Sequence, residues 1–161
     1  MVVVVMGPAG AGKTTVGRRL AETLGWAFHD GDDVHPAANV AKMRRGEPLT
    51  DADRAGWLAA LHELIAALGA RGADAVLACS ALRAAHRDVL AGGRDDVRFV
   101  YLRVPPDELR RRLEARRGHY MHADLLPSQL ATLEEPGDAI TLDGTRPPDE
   151  LAAAIRAALA S

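Results

Sequence analysis

The chain has 161 residues, 48% hydrophobic and 26% charged, a balance that fits a globular domain and excludes a disordered tail or a collagen-like fibre. Twenty basic residues against 22 acidic ones leave a net charge of −2, so no overall field recruits nucleic acid or an anionic membrane. The single cysteine, Cys79, excludes an internal disulfide and fits a reducing compartment, while the apolar run Met1 to Met6 is too short for a signal peptide or a membrane span; a cytoplasmic location is expected.

In chain order, Val2 to Met6 is a continuous β-branched run ending at Gly7, the pattern of a strand buried on both faces. Thr14 to Leu24 predicts a helix with Val16, Leu20 and Leu24 on one face and Gly25 as its stop. Trp26 to Phe28 predicts a short strand, and Pro36 to Arg45 a short helix ended by Gly46. Asp51 to Leu68 predicts a long helix with Trp57, Leu58, Leu61, Leu64, Ile65 and Leu68 at helical spacing. Ala75 to Cys79 and Phe99 to Leu102 read as strands with a helix, Arg83 to Leu90, between them. Pro106 opens a further helix in the first-turn position that suits proline. A helix at Pro127 to Leu133, a strand at Ala139 to Leu142 and an Ala-rich helix from Asp149 complete the pattern. Strands alternating with helices predict an α/β fold, a parallel sheet covered on both faces in three layers. No repeat or linker divides the chain, so residues 1–161 are expected to form one domain.

The strongest chemical signal lies where the first strand meets the first helix. Gly7-Pro8-Ala9-Gly10-Ala11-Gly12-Lys13-Thr14 matches the phosphate-loop pattern G-x-x-x-x-G-K-[ST], and Thr15 follows. At this composition a chance match is on the order of one in a thousand, even before the strand–loop–helix context is required. The glycines let backbone N–H groups wrap phosphate oxygens, and the helix N-terminus adds partial positive charge. Lys13 is one of only two lysines among the 20 basic residues, the other being Lys42. Its point charge suits the β- and γ-phosphates of a nucleoside triphosphate such as ATP, and the Thr14 hydroxyl suits magnesium.

The predicted second strand runs into His29-Asp30-Gly31-Asp32-Asp33. If this segment stays extended, Asp30 and Asp32 point the same way, towards the phosphate loop, so that one can hold Mg2+ and the other accept a proton from an attacking hydroxyl. A solvated acidic turn is the plainer alternative for the segment alone. His35, Asn39, Lys42 and Arg54 follow as polar groups. Arg54 suits either a surface ion pair or a substrate carboxylate, and Asp51 a place in the first turn of the long helix. Arg112 and Arg116 are spaced i, i+4 and share a predicted helix face, placed to stack on a purine and to meet a transferring phosphoryl group. Arg110, Arg111 and Arg117 keep open the reading of a solvated basic face. Residues about 116–126, with Gly118 as a hinge, suit a lid. Cys79 is expected in the core, with Ser80 lining the crevice. A nucleotide-dependent switch, and kinases for shikimate, nucleoside monophosphates or other sugar acids, stay open on these residues alone.

Five blocks in the same order resemble the gluconokinases, small ATP-dependent sugar-acid kinases related to shikimate kinase. They are Gly7 to Thr15, Phe28 to Pro36, Lys42 to Arg54 with Trp57-Leu58, Cys79 to Arg83 with His86-Arg87-Asp88, and Arg116 to Met121 continued by Leu125 to Gln129 and Leu133 to Pro136. Gly56, where relatives commonly carry proline, and Tyr120, where many carry Phe, are mild departures. The resemblance implies a P-loop kinase fold with strand order 2-3-1-4-5, phosphorylation of D-gluconate at its 6-hydroxyl, and often a homodimer. It implies that Thr14 and Asp30 position magnesium, Asp32 deprotonates the acceptor, Arg112 covers adenine, and Arg116 meets the phosphoryl group. His35, Arg54, Ser80 and Gln129 are the implied sugar-acid contacts.

Overall fold

The valine run that opens the chain forms β1 (Val2–Met6), and the computed structural model, which describes residues 1–116 and 123–161, places it at the centre of a five-stranded sheet. A loop leads into α1 (Lys13–Leu24), which ends on Gly25 in the left-handed conformation, φ 69°. β2 (Ala27–Asp30) passes into a single 3-10 turn at Gly31–Val34, then α2 (Ala37–Arg44) and α3 (Asp51–Ala70). β3 (Ala75–Ala78), α4 (Ala84–Ala91), β4 (Val97–Arg103) and α5 (Pro106–Ala115) follow. After a second 3-10 turn at Ala123–Leu125 come α6 (Leu126–Thr132), β5 (Ile140–Asp143) and α7 (Pro148–Ala160). The hinge expected at Gly118, and most of the lid expected over about 116–126, lie outside the described residues.

The strand order is β2-β3-β1-β4-β5, the order the family resemblance implies, and every pairing is parallel, as the alternation of strands and helices predicts. Successive side chains of β1 feed two different cores. Val3 and Val5 pack with Val16 and Leu20 of α1 and with Leu151 and Ile155 of α7. Val2, Val4 and Met6 pack on the other face with Trp57, Leu61 and Ile65 of α3 and Leu90 of α4. Burial on both faces explains why the run is continuous rather than alternating.

Element boundaries shift where sheet pairing overrides local pattern. β4 starts at Val97, two residues before the expected Phe99, because Val97 pairs with Val2. β2 lies at Ala27–Asp30 rather than Trp26 to Phe28, since the Trp26 N–H is taken by the Ala21 carbonyl at the end of α1. Among the described residues no helix is long and apolar enough to cross a membrane.

Candidate active site

The loop between β1 and α1 is shaped by glycines at 7, 10 and 12, with φ of +149°, +88° and +95°. These are conformations that side chains resist. Gly12 occupies the cap position of α1 without any side-chain cap, so the first N–H groups of the helix face the loop for an anion to claim. Pro8, Ala9, Gly10 and Ala11 are buried beneath it, whereas Thr15 lies exposed on the helix. The Lys13 ammonium donates to the Gly7 and Pro8 carbonyls at 2.9 and 3.2 Å, folded back over its own loop. Burial lowers its pKa and Arg116 adds to that, while Asp32, Cys79 and Asp30 oppose it. Both carboxylates therefore act on the ammonium.

The geometry of those carboxylates differs from the expected one. Asp30 and Asp32 do not lie on one extended segment, because β2 stops at Asp30. Asp30 Oδ1 accepts the Asp32 N–H at 3.0 Å, which winds the chain into the 3-10 turn, an Asx-type closure. Gly31 is needed at this bend, since a Cβ there would stand 2.6 Å from the Ala78 carbonyl oxygen. The turn sends the two carboxylates to different places. Asp30 Oδ2 accepts from the Thr14 hydroxyl at 3.2 Å beside the loop, and Asp32 lines the open cleft. The Thr14–Asp30 pair offers adjacent hard oxygens, the donor set that suits magnesium. Among the described residues no three His, Cys, Asp or Glu side chains cluster as a protein-only metal cage. Magnesium fits that pattern, since it is commonly held by one or two protein oxygens, waters and substrate phosphates.

The cleft joins Gly10, Gly12, Lys13 and Thr14 to Asp32, His35, Arg54, Ser80, Arg116 and Gln129. His35 stacks on Trp57 with ring centroids 4.2 Å apart, and the indole Nε1 donates to the Gly31 carbonyl at 2.8 Å. Burial and the nearby Arg54 push the His35 pKa down to about 4, so the imidazole is neutral at neutral pH. The Arg54 side chain is only 11% exposed, and Asp51 stands 3.6 Å from it on the solvent side. Gln129, from α6, reaches the phosphate loop and accepts the Ala9 N–H at 2.7 Å. Ser80 lies at the end of β3, and next to it the Cys79 thiol is buried and pushed up to about 12, an inert core group.

A further sequence expectation changes here. Arg112 and Arg116 do not share a helix face, because α5 ends at Ala115 and Arg116 adopts an extended conformation, ψ 141°. Arg112 instead spans the Gly10 and Gly144 carbonyls at 3.1 and 3.0 Å, while Arg116 lines the cleft. Lys42 bonds Asp53 at 2.7 Å and does not line the cleft. Asp51 lies in the first turn of α3, as expected, and Thr50 caps the helix in a reciprocal box with Asp53. The periodicity of α3 marks Trp57 as core only, yet its edge reaches the cleft. Asn39, which the sequence marks only as a polar group, stands 3.3 Å from His35 Nδ1.

Comparison with known proteins agrees with this geometry. The sequence model of the shikimate kinase family matches residues 9–152. A gluconokinase of Gluconobacter oxydans (strain 621H) is 52% identical over 149 residues, covering 91% of this chain and 84% of the relative. The thermoresistant gluconokinase of Escherichia coli (strain K12) is 40% identical over 148 residues, covering 89% and 85%. A crystal structure of a gluconokinase from Sinorhizobium meliloti 1021 superposes with a TM-score of 0.85 at 40% identity, over 99% of this chain and 93% of that one.

Proposed function

The chain belongs to the gluconokinase family, within the wider shikimate kinase family of P-loop kinases, and on that premise we propose that it transfers the γ-phosphoryl group of ATP to the 6-hydroxyl of D-gluconate. The products are 6-phospho-D-gluconate and ADP. One observation carries the reading: a phosphate loop, a carboxylate and a buried guanidinium share one cleft, at Lys13, Asp32 and Arg54.

In this reading the loop N–H groups of residues 7–15 cradle the ATP phosphates, and the Lys13 ammonium leaves the Gly7 and Pro8 carbonyls to meet β- and γ-oxygens. Thr14 and Asp30 would hold Mg2+, which would neutralise charge on the phosphates when bound. Asp32 orients the acceptor hydroxyl and takes its proton as the oxygen bonds to the γ-phosphorus. The bond from that phosphorus to the bridging oxygen breaks, and ADP carries the electron pair away. Arg116 enters from the end of α5 to meet the charge spreading over the equatorial oxygens. Arg112, braced between the phosphate loop and the loop after β5, forms the adenine side of the site.

Arg54 suits the sugar-acid carboxylate, because its planar fork gives two parallel bonds, while His35, Ser80 and Gln129 offer polar contacts to hydroxyls. A cytoplasmic homodimer of one-domain chains completes the proposal. A panel of acceptors in a coupled ADP assay tests it. Gluconate should support turnover well above shikimate, nucleoside monophosphates and other aldonates; equal rates with every acceptor, or with none, would contradict the assignment.

A further inference from the structure

The wall of the cleft behind Asp32 holds a chain of polar groups that the transfer reaction does not by itself require. Asn39, on α2, is buried, 4% exposed. Its Nδ2 donates to the Asp53 backbone carbonyl at 2.8 Å, and stands 3.3 Å from His35 Nδ1. A backbone carbonyl only accepts, so the amide nitrogen must face it, and that fixes which way the side chain is turned. The second hydrogen of the same nitrogen then points at His35 Nδ1, which has to be the unprotonated nitrogen. A neutral imidazole with Nδ1 as acceptor carries its hydrogen on Nε2. That nitrogen stands 4.0 Å from Asp32 Oδ1, too far for a direct hydrogen bond. A hydroxyl oxygen set to one side of that gap lies within hydrogen-bond reach of both, accepting from Nε2 and donating to the carboxylate. Stacking on Trp57, itself tethered to Gly31, keeps the ring plane in place.

We propose that Asn39 is a positioning residue, which sets the tautomer of His35 so that Nε2–H and the Asp32 carboxylate together present a donor and an acceptor to a single hydroxyl of the sugar acid. This rests on the kinase reading above. The amide does its work without touching substrate: it leaves the imidazole a single donor aimed into the cleft. A hydroxyl fits the pair because it both accepts and donates. Asn39 also ties α2 to α3 through the Asp53 carbonyl, so a purely structural role is the competing explanation, and the test separates the two.

Two-bond proton–nitrogen spectra of the histidine-labelled protein at neutral pH, without substrate, report the tautomer directly. The Nε2–H form of His35 is expected, and the Nδ1–H form overturns the proposal whatever the activity. Asn39→Asp places an acceptor against Nδ1 and should convert His35 to a ring protonated at Nδ1. With gluconate its kcat should fall about 10- to 100-fold, the scale for losing the partner that orients a metal-bound histidine, while KM for ATP stays unchanged. His35→Phe keeps the stacked ring without Nε2–H and should lose as much. The double variant Asn39→Asp/His35→Phe should be no worse than His35→Phe, because the amide acts through the ring. Additive losses, or a folded Asn39→Asp protein with unchanged kcat, overturn the proposal. Should Asn39→Asp fail to fold, the wild-type tautomer and the His35→Phe kinetics still decide. A wild-type protein inactive on gluconate would sink the kinase reading instead, while the tautomer remains readable.

Discussion

The Lys13 ammonium donates to two carbonyls of its own loop, those of Gly7 and Pro8. An incoming triphosphate offers stronger, charged acceptors at the same place, so the ammonium exchanges partners and the buried charge gains a counter-charge. Lys13→Ala should therefore reduce turnover by ~10²–10³-fold, the scale for losing one stabiliser of transition-state charge. The thermal transition should stay near wild type, because the side chain belongs to neither core; near-normal turnover would remove the phosphate-loop argument. Asp32→Asn keeps the size of the side chain but removes the proton acceptor. Its kcat should fall by ~10²–10⁴-fold with ATP affinity retained, which steady-state kinetics and nucleotide titration check together. At this scale the phosphate loop is legible in the sequence because its chemistry is local: glycines, a lysine and a hydroxyl at fixed spacing. Lys42 is not, since its partner Asp53 lies eleven positions away on another helix, and only folding brings the two together.

The 3-10 turn Gly31–Val34 presents Asp32 to the cleft and is held by contacts distant in sequence. Its carbonyl at Gly31 is bonded to the indole of Trp57, buried in α3. Trp57→Phe preserves a ring for His35 to stack on but leaves that buried carbonyl without its donor. The cost should be about 1–3 kcal/mol, read as a lower urea midpoint with an unchanged slope. An unchanged midpoint would show that the bond contributes nothing. The α3 terminus makes a prediction in pH. Asp53 is held down at about 2, against an ordinary 3.8, first by the Lys42 hydrogen bond and then by the Thr50 N–H. A depressed folded-state pKa stabilises the fold above 3.8, and that contribution is lost as pH falls through about 2. Lys42→Met removes the largest cause, so its urea midpoint should fall less than that of wild type across this acid window. Parallel losses in the two proteins would contradict the assignment. The turn itself was hidden from sequence pattern, because alternation along Asp30-Gly31-Asp32 reads as strand until Asp30 bonds the Asp32 N–H. The break at Ala115 was hidden likewise, since nothing in Arg112 to Arg116 stops a helix locally.

For the whole molecule, the parallel sheet brings the carboxyl ends of β1, β2 and β3 together, and with them the loop lysine, Asp30 and Ser80. That convergence follows from strand order, which the family resemblance implies, whereas the alternation of strand and helix by itself predicts only a parallel sheet. The two cores either side of β1 set the frame, and the first turn of α3, the end of α5 and the middle of α6 bring Arg54, Arg116 and Gln129 to its rim. A site assembled this way should couple cleavage of ATP to occupancy by the acceptor, since binding energy from the correct substrate can complete the catalytic arrangement. The most direct measurement follows ATP, ADP and sugar phosphate by phosphorus NMR in one tube, first without gluconate and then with it. Without acceptor, ADP should form very slowly. With gluconate, ADP and a phosphate ester on the terminal hydroxyl should appear at equal rates, with no inorganic phosphate accumulating. Rapid release of inorganic phosphate irrespective of gluconate, or an ester on any other hydroxyl, would contradict the account.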